Sequence, residues 1–210
     1  MKYLILILFS VVSFSSAAKL KVDKIKVYKQ ERLMRAYYQD ELVREYKIAL
    51  SISHNIPGFR MGPKRLRGDM RTPEGSYKII KKRQRTQYPL SLLINYPNKK
   101  DIAWGKKNGK TKWELGDMIL IHGFPYRPTK VVRDFVTKIG ADVETVDEWL
   151  RAYFYPYFDW TSGCIGITDE QMKELFEAVE VGTEIEIKSF LYFDRSKLPD
   201  HLEAYPIRYY

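Results

Sequence analysis

Apolar and polar positions alternate through residues 42–50, where Leu42, Tyr46, Ile48 and Leu50 share one parity and Glu45 and Lys47 the other. That period of two predicts a strand with one face in a core. Residues 24–38 are rich in β-formers, with Gln39-Asp40-Glu41 as a turn before the strand. From 53 to 75, Pro57-Gly58, Gly62-Pro63, Gly68-Asp69 and Thr72-Pro73-Glu74-Gly75 punctuate the chain, which predicts a long loop. Strands are expected again at 76–81, 90–95 and 118–122, so the first two thirds read as β.

The period changes at 128–155. Val131, Val132, Phe135, Val136 and Ile139, then Val143, Val146, Trp149 and Leu150, recur at helical spacing, predicting two short helices with Gly140 between them. A third helix is expected from Thr168 to about Val179, because Thr168 and Gln171 have capping-box spacing and Asp169 and Glu170 place negative charge in the first turn. Val181-Gly182-Thr183 should then turn the chain into a last strand at 184–189, marked by Ile185 and Ile187. The expected fold class is mainly β with a few peripheral helices.

The ends of the chain follow different rules. Lys2, the apolar run 3–14 and Ser15-Ser16-Ala17-Ala18 have the layout of a cleavable secretory signal at 1–18. Export to the periplasm or cell envelope is the expectation. The apolar run is shorter than the roughly 20 residues of a membrane span, so no stable span is expected. Residues 19–190 then form one domain, and 191–210 a tail packed on it or extending from it. With 36 Lys+Arg against 26 Asp+Glu, the chain is basic and suits a polyanionic partner. The basic run 78–85 reads as a solvated strand end, and with no recognisable motif a nucleic-acid partner is not expected.

One cysteine in an exported chain excludes an internal disulfide. Cys164 follows Gly163 in Asp159-Trp160-Thr161-Ser162-Gly163-Cys164-Ile165, a few residues before a predicted helix. A glycine there permits a tight turn whose amides face a carbonyl oxygen, as an oxyanion site requires. A thiol nucleophile also needs a proton acceptor, usually an imidazole. Of the three histidines, His54 lies in the loop and His201 in the tail, whereas His122 ends the run Met118-Ile119-Leu120-Ile121 and is followed by Gly123, which leaves room for a substrate. Three His and one Cys match no zinc spacing, so no metal is expected.

Ile121-His122-Gly123 and Ser162-Gly163-Cys164-Ile165 together resemble the signature of the L,D-transpeptidases with the YkuD-type catalytic domain. Gly68-Asp69, Thr72-Pro73-Glu74-Gly75 and the segment 91–98 are similar to further family segments, in the family's order and across 24–188. The resemblance implies a β-rich catalytic domain at 19–190, in which Cys164 attacks a carbonyl of peptidoglycan stem peptides and His122 is the general base. It implies Gly163, Ser162 and Gly123 as oxyanion or substrate-positioning residues, no cofactor, and an amine acceptor: a second stem peptide, a D-amino acid or a wall-linked protein.

The chain departs from the common pattern at three places. Ser162 stands where a second His is frequent, Gly166 where Arg or Asn is frequent, and His122 and Cys164 are 42 positions apart, farther than usual, with the two predicted helices inserted between them. The Asp-Trp-Thr-x-Gly-Cys-Ile form resembles a subgroup that includes hydrolytic members, so resolution of the acyl-enzyme by water, as in a carboxypeptidase or amidase, stays open beside transfer. A non-catalytic wall-binding module is the distant alternative. The aromatic cluster Trp149, Tyr153, Phe154, Tyr155, Tyr157 and Phe158 either packs the inserted helices onto the sheet or lids the site.

Overall fold

The computed structural model describes residues 19–55 and 62–190; the expected signal at 1–18 and tail at 191–210 lie outside them. Within them, side-chain alternation builds one eight-stranded mixed sheet. Its strands are β1 (Val22–Tyr28), β2 (Leu33–Tyr38), β3 (Glu41–Lys47), β4 (Gly75–Gln84), β5 (Leu90–Ile94), β6 (Leu120–His122), β7 (Ile165–Gly166) and β8 (Val179–Lys188). Their order is β3-β2-β1-β8-β4-β5-β6-β7. Only β1 with β8 and β6 with β7 run parallel; the other neighbours are antiparallel. The mainly β expectation holds.

Ile25, Val27, Met34, Ala36, Ile79, Leu92, Ile94, Ile121, Ile165, Ile185 and Ile187 all sit inside, and α5 (Asp169–Ala178) covers them with Met172, Leu175 and Phe176. The expected capping box at Thr168 and Gln171 opens that helix. The helix passes directly into β8 at Val179, without the expected turn at 181–183, because Val22 pairs with Val179. Gly182, with φ 104°, is absorbed inside the strand, and the register between β1 and β8 shifts beside it.

Tyr46, Ile48 and Leu50 are buried, as the alternation requires, but Leu42 is exposed because β3 is the sheet's outer strand there. The β3 ladder stops at Lys47, after which the chain crosses to the far end of the sheet. Ala49 bridges Gly166, Ser51 bridges Thr161, and the Trp160 and Thr161 amides donate to Leu50 O at 3.0 and 2.8 Å. The sheet therefore curls until its two ends are joined by main-chain bonds. The buried Asp159 carboxylate fastens this seam by accepting from Leu50 N at 2.7 Å and from Arg32 Nη2 at 2.6 Å.

Two helices were not expected from the sequence pattern, α1 (Lys99–Lys107) and α2 (Lys112–Leu115), each opened by a capping box, Asn98 with Asp101 and Thr111 with Glu114. The two expected in the insertion are present as α3 (Lys130–Lys138) and α4 (Val143–Trp149), and α4 widens into a π-helical turn at Leu150–Phe154.

The loop before β4 hangs on a buried cation. Lys29 is fully buried, and its Nζ donates to Gly62 O at 2.7 Å, Thr72 O at 3.0 Å and Glu74 Oε1 at 2.9 Å. Burial lowers its pKa against the pull of Glu74. Removing one member of a buried ion pair leaves the other uncompensated. Lys29→Met should cost about 3 kcal/mol in urea unfolding, whereas Lys24→Met, which breaks the exposed pair with Asp40, should leave the midpoint in place.

Candidate active site

The short parallel ladder of β6 and β7 sets Cys164 and His122 on neighbouring strands. Ile121 pairs with Ile165 and His122 with Gly166, so Cys164, one residue earlier, comes beside Leu120. The contacts agree: Leu120 N–H donates to Sγ at 3.4 Å, and the thiol donates to Met118 O at 3.6 Å. Strand alternation puts Leu120 and His122 on one face of β6. Residues far apart in sequence thus occupy adjacent strand ends.

The turn before Cys164 is locally over-determined. Thr161 Oγ1 donates to Cys164 O at 2.8 Å and accepts from Gly163 N at 3.3 Å. Gly163 has φ 115°, and a Cβ there would stand 2.7 Å from Arg71 O, so glycine is required both by conformation and by the neighbouring backbone. Ser162 is exposed beside it.

His122 is fully buried between two rings: Tyr88 stacks on it with centroids 3.7 Å apart at 16°, and Trp160 meets it edge-on at 5.3 Å. Its Nδ1 lies 2.8 Å from Gly123 O. A carbonyl only accepts, so the neutral ring carries its proton on Nδ1 and leaves the Nε2 lone pair free as a base. Nε2 is buried and has no hydrogen-bond partner among the described residues. Gly123 was expected to leave room for a substrate; instead, the position of its missing Cβ lies 2.2 Å from Asp169 Oδ1, so that space is filled by a carboxylate.

Gly166 likewise has a physical reason. A Cβ at 166 would meet Trp160 Cζ2 at 2.9 Å, so the glycine lets the indole lie over β7 and reach His122. Trp160 Nε1 donates to Tyr155 O at 3.1 Å, tying this ring to the insertion. Of the cluster between His122 and Cys164, Tyr155 alone is buried, against Phe124 and Trp160, while Trp149, Tyr153, Tyr157 and Phe158 are exposed. Tyr88, Trp160, Asp169 and Arg151 surround the site without having been singled out for it; Trp160 stood in the Asp-Trp-Thr motif, whereas Tyr88 carried no sequence signal.

Electrostatically the site rests in its neutral form. Burial pushes the Cys164 thiol up to about 11, against the Leu120 amide and the Lys64 charge, which favour the thiolate. Burial pushes His122 down to about 4, with the Gly123 carbonyl opposing. Tyr88 is raised by burial and then by the charges of Cys164 and Tyr155, which puts its hydroxyl in the same electrostatic neighbourhood as the thiol. A hollow of about 360 Å³ is lined by Thr86, Gln87, Tyr126, Arg127, Lys130 and Arg133 among others, and neither His122 nor Cys164 lines it.

The family model for the YkuD L,D-transpeptidase catalytic domain matches residues 23–187. The chain belongs to this L,D-transpeptidase family. Among solved structures, the Campylobacter jejuni helical cell shape determining protein Pgp2 is similar, with TM-score 0.51, 20% identity, 81% of this chain and 49% of that chain covered. A mutant form of Pgp2 gives TM-score 0.52 at 20% identity, covering 82% of this chain and 49% of that one. An L,D-transpeptidase from Mycobacterium smegmatis gives TM-score 0.42 at 10% identity, covering 78% and 57%. The likeness to Pgp2 is one of fold, and the chain spans about half the length of Pgp2. Comparison with the curated proteins gives no match.

Two measurements test this L,D-transpeptidase site. His122 binds its proton near pH 4 when folded and near 6.5 when unfolded, so its contribution is present above pH 6.5 and lost as pH falls towards 4. Wild type should lose about 3 kcal/mol more than His122→Asn between pH 7 and pH 4 in urea titrations. Tyr88→Ala uncovers the imidazole and relieves burial near the thiol, so iodoacetamide should label Cys164 several-fold faster at pH 8; an unchanged rate would show that Tyr88 does not shield it.

Proposed function

We propose that this chain is an exported cysteine acyl-transfer enzyme of the peptidoglycan stem peptides, with Cys164 as nucleophile and His122 as general base. The observation that carries the reading is the β6–β7 ladder, which sets the cysteine turn beside the strand that ends in His122. The Nδ1–H form of the ring supports it, because Nε2 is then available to take the thiol proton.

In this reading the thiolate attacks the carbonyl carbon of the bond between an L-centre and a D-amino acid, and the carbonyl π pair moves onto oxygen. Gly163 N–H is engaged by Thr161 Oγ1, so Cys164 N–H is assigned as the oxyanion donor. Collapse breaks the C–N bond, the leaving amine takes the proton held by His122, and a thioester remains on Cys164. An acceptor amine or water then attacks the thioester, gives its proton to His122 and displaces the thiolate. The hollow with Arg127, Lys130 and Arg133 suits the carboxylates of such peptides. The basic chain suits an anionic wall polymer, and the signal-like 1–18 delivers it there.

Hydrolysis of the same acyl-enzyme is the second reading, favoured by Tyr88 and Trp160, whose rings crowd His122 and leave passage for water more readily than for a second peptide. Mature protein incubated with tetrapeptide muropeptides, with and without an amine acceptor, should give products that mass spectrometry distinguishes. Loss of terminal D-Ala alone means hydrolysis; an exchanged or dimeric product means transfer. Cys164→Ala should abolish either, and turnover by that variant at the wild-type rate would defeat the proposal.

A further inference from the structure

Besides Tyr155, the two-helix insertion reaches the site through Arg151. Arg151, on the π-helical turn, donates from Nη1 to Asp169 Oδ2 at 3.3 Å, from Nη2 to Pro125 O, and from Nε to Asp147 Oδ2 at 2.9 Å. The other oxygen of Asp169, Oδ1, accepts from Phe124 N at 2.8 Å. Phe124 N–H and Gly123 C=O belong to one planar trans peptide unit and point to opposite sides of it. Anchoring the N–H on Asp169 therefore aims the carbonyl the other way, and there it meets His122 Nδ1 at 2.8 Å.

The position of Asp169 is itself fixed. Thr168 caps α5, and Ile167 N–H donates to His122 O at 3.0 Å, so the first residue of that helix stands at a set distance from the end of β6. At position 123 a Cβ would stand 2.2 Å from Asp169 Oδ1, so any larger residue would push the carboxylate aside. Charge is arranged to match: burial raises the Asp169 pKa, while Phe124 N–H and Arg151 oppose it.

We infer that Asp169 and Arg151 are positioning residues for the imidazole, a relay in which the insertion's arginine orients the carboxylate, the carboxylate orients the 123–124 peptide, and that peptide keeps the His122 proton on Nδ1. This inference rests on His122 acting as the base. It gives the insertion a role in the reaction that its exposed aromatics do not supply, and it locates that role at Arg151 rather than at Trp149 or Tyr153. Neither residue touches the reacting atoms, so the effect is on tautomer and ring orientation.

The test joins imidazole nitrogen NMR with kinetics on the full chain. In wild type at pH 7 the His122 nitrogen shifts should show the Nδ1–H form as the dominant species. Asp169→Ala should mix the two tautomers and lower kcat about 10- to 100-fold with KM within about threefold, a loss the size of other outer-shell changes. Asp169→Asn retains an oxygen that accepts from Phe124 N–H, so it should recover most of the Nδ1–H population and of kcat. Arg151→Gln should fall between the two, while Tyr153→Ala, on the same turn but outside the relay, should behave as wild type. Thermal melts identify any variant that fails to fold, in which case the Asn rescue and the Arg151 series decide. An unchanged tautomer and kcat within twofold in folded Asp169→Ala would overturn the relay. Wild-type turnover in Cys164→Ala would instead overturn the enzymatic reading, and the nitrogen spectra would still report on the relay.

Discussion

Two residue pairs of parallel strand, Ile121 with Ile165 and His122 with Gly166, hold the candidate site together. So short a ladder has little stability of its own, since isolated strand pairs are marginal in water. Its support comes from the sheet's closure. The chain leaving β3 bonds to Gly166, Thr161 and Trp160, while Asp159 binds the Leu50 amide and Arg32. The Asp-Trp-Thr-x-Gly-Cys-Ile segment is thereby a structural device before it is a chemical one: Asp159 fastens the seam, Thr161 shapes the turn, and Gly163 clears the Arg71 backbone.

Packing gives a physical reason for Gly166 and a tie for the inserted helices, two of the places where the chain departs from the pattern it resembles. Gly166 replaces a long side chain, and the space is taken by Trp160, whose ring crosses above the glycine to touch His122. An arginine at 166 would displace that indole, and with it the bond from Trp160 Nε1 to Tyr155 that ties in the insertion. Gly166, Trp160 and the insertion pack as one unit. The insertion lies in the longer interval between His122 and Cys164 and carries both Tyr155 and Arg151 towards the site.

Much of this was legible in the residues, and the parts that were not have physical causes. Strand alternation at 46–50 and at Ile185 and Ile187, the helical period at 131–150 and the Thr168 cap all reflect local rules, and the structure follows them. Helices α1 and α2 were hidden because lysines surround their few apolar residues, although Asn98 with Asp101 and Thr111 with Glu114 had the capping spacing. Strand β7 is two residues long, below the reach of any periodicity. At the site, Cys164 and His122 were visible as residue types beside glycines, but what those glycines do was not. Gly123 read as open space and Gly166 only as a departure from the common pattern, and tertiary packing fills both places, with Asp169 and with Trp160. Tyr88 reaches His122 from a different strand end, a long-range contact that no local pattern encodes.

The resting chemistry then sets a condition on any mechanism. With burial holding the thiol up at about 11 and the imidazole down at about 4, moving a proton from Sγ to Nε2 is uphill in the resting geometry. Both values have burial as their leading cause, so both respond to the same event. Displacing Tyr88 from the ring would raise the imidazole and lower the thiol together, because that ring stacks on His122 and its hydroxyl shares the electrostatic surroundings of Cys164. In the proposed reading, contacts of the bound substrate that hold the thiolate beside an imidazolium act in the same direction. In that reading the coupling keeps the thiol protonated in the resting protein and ties its activation to a change at Tyr88.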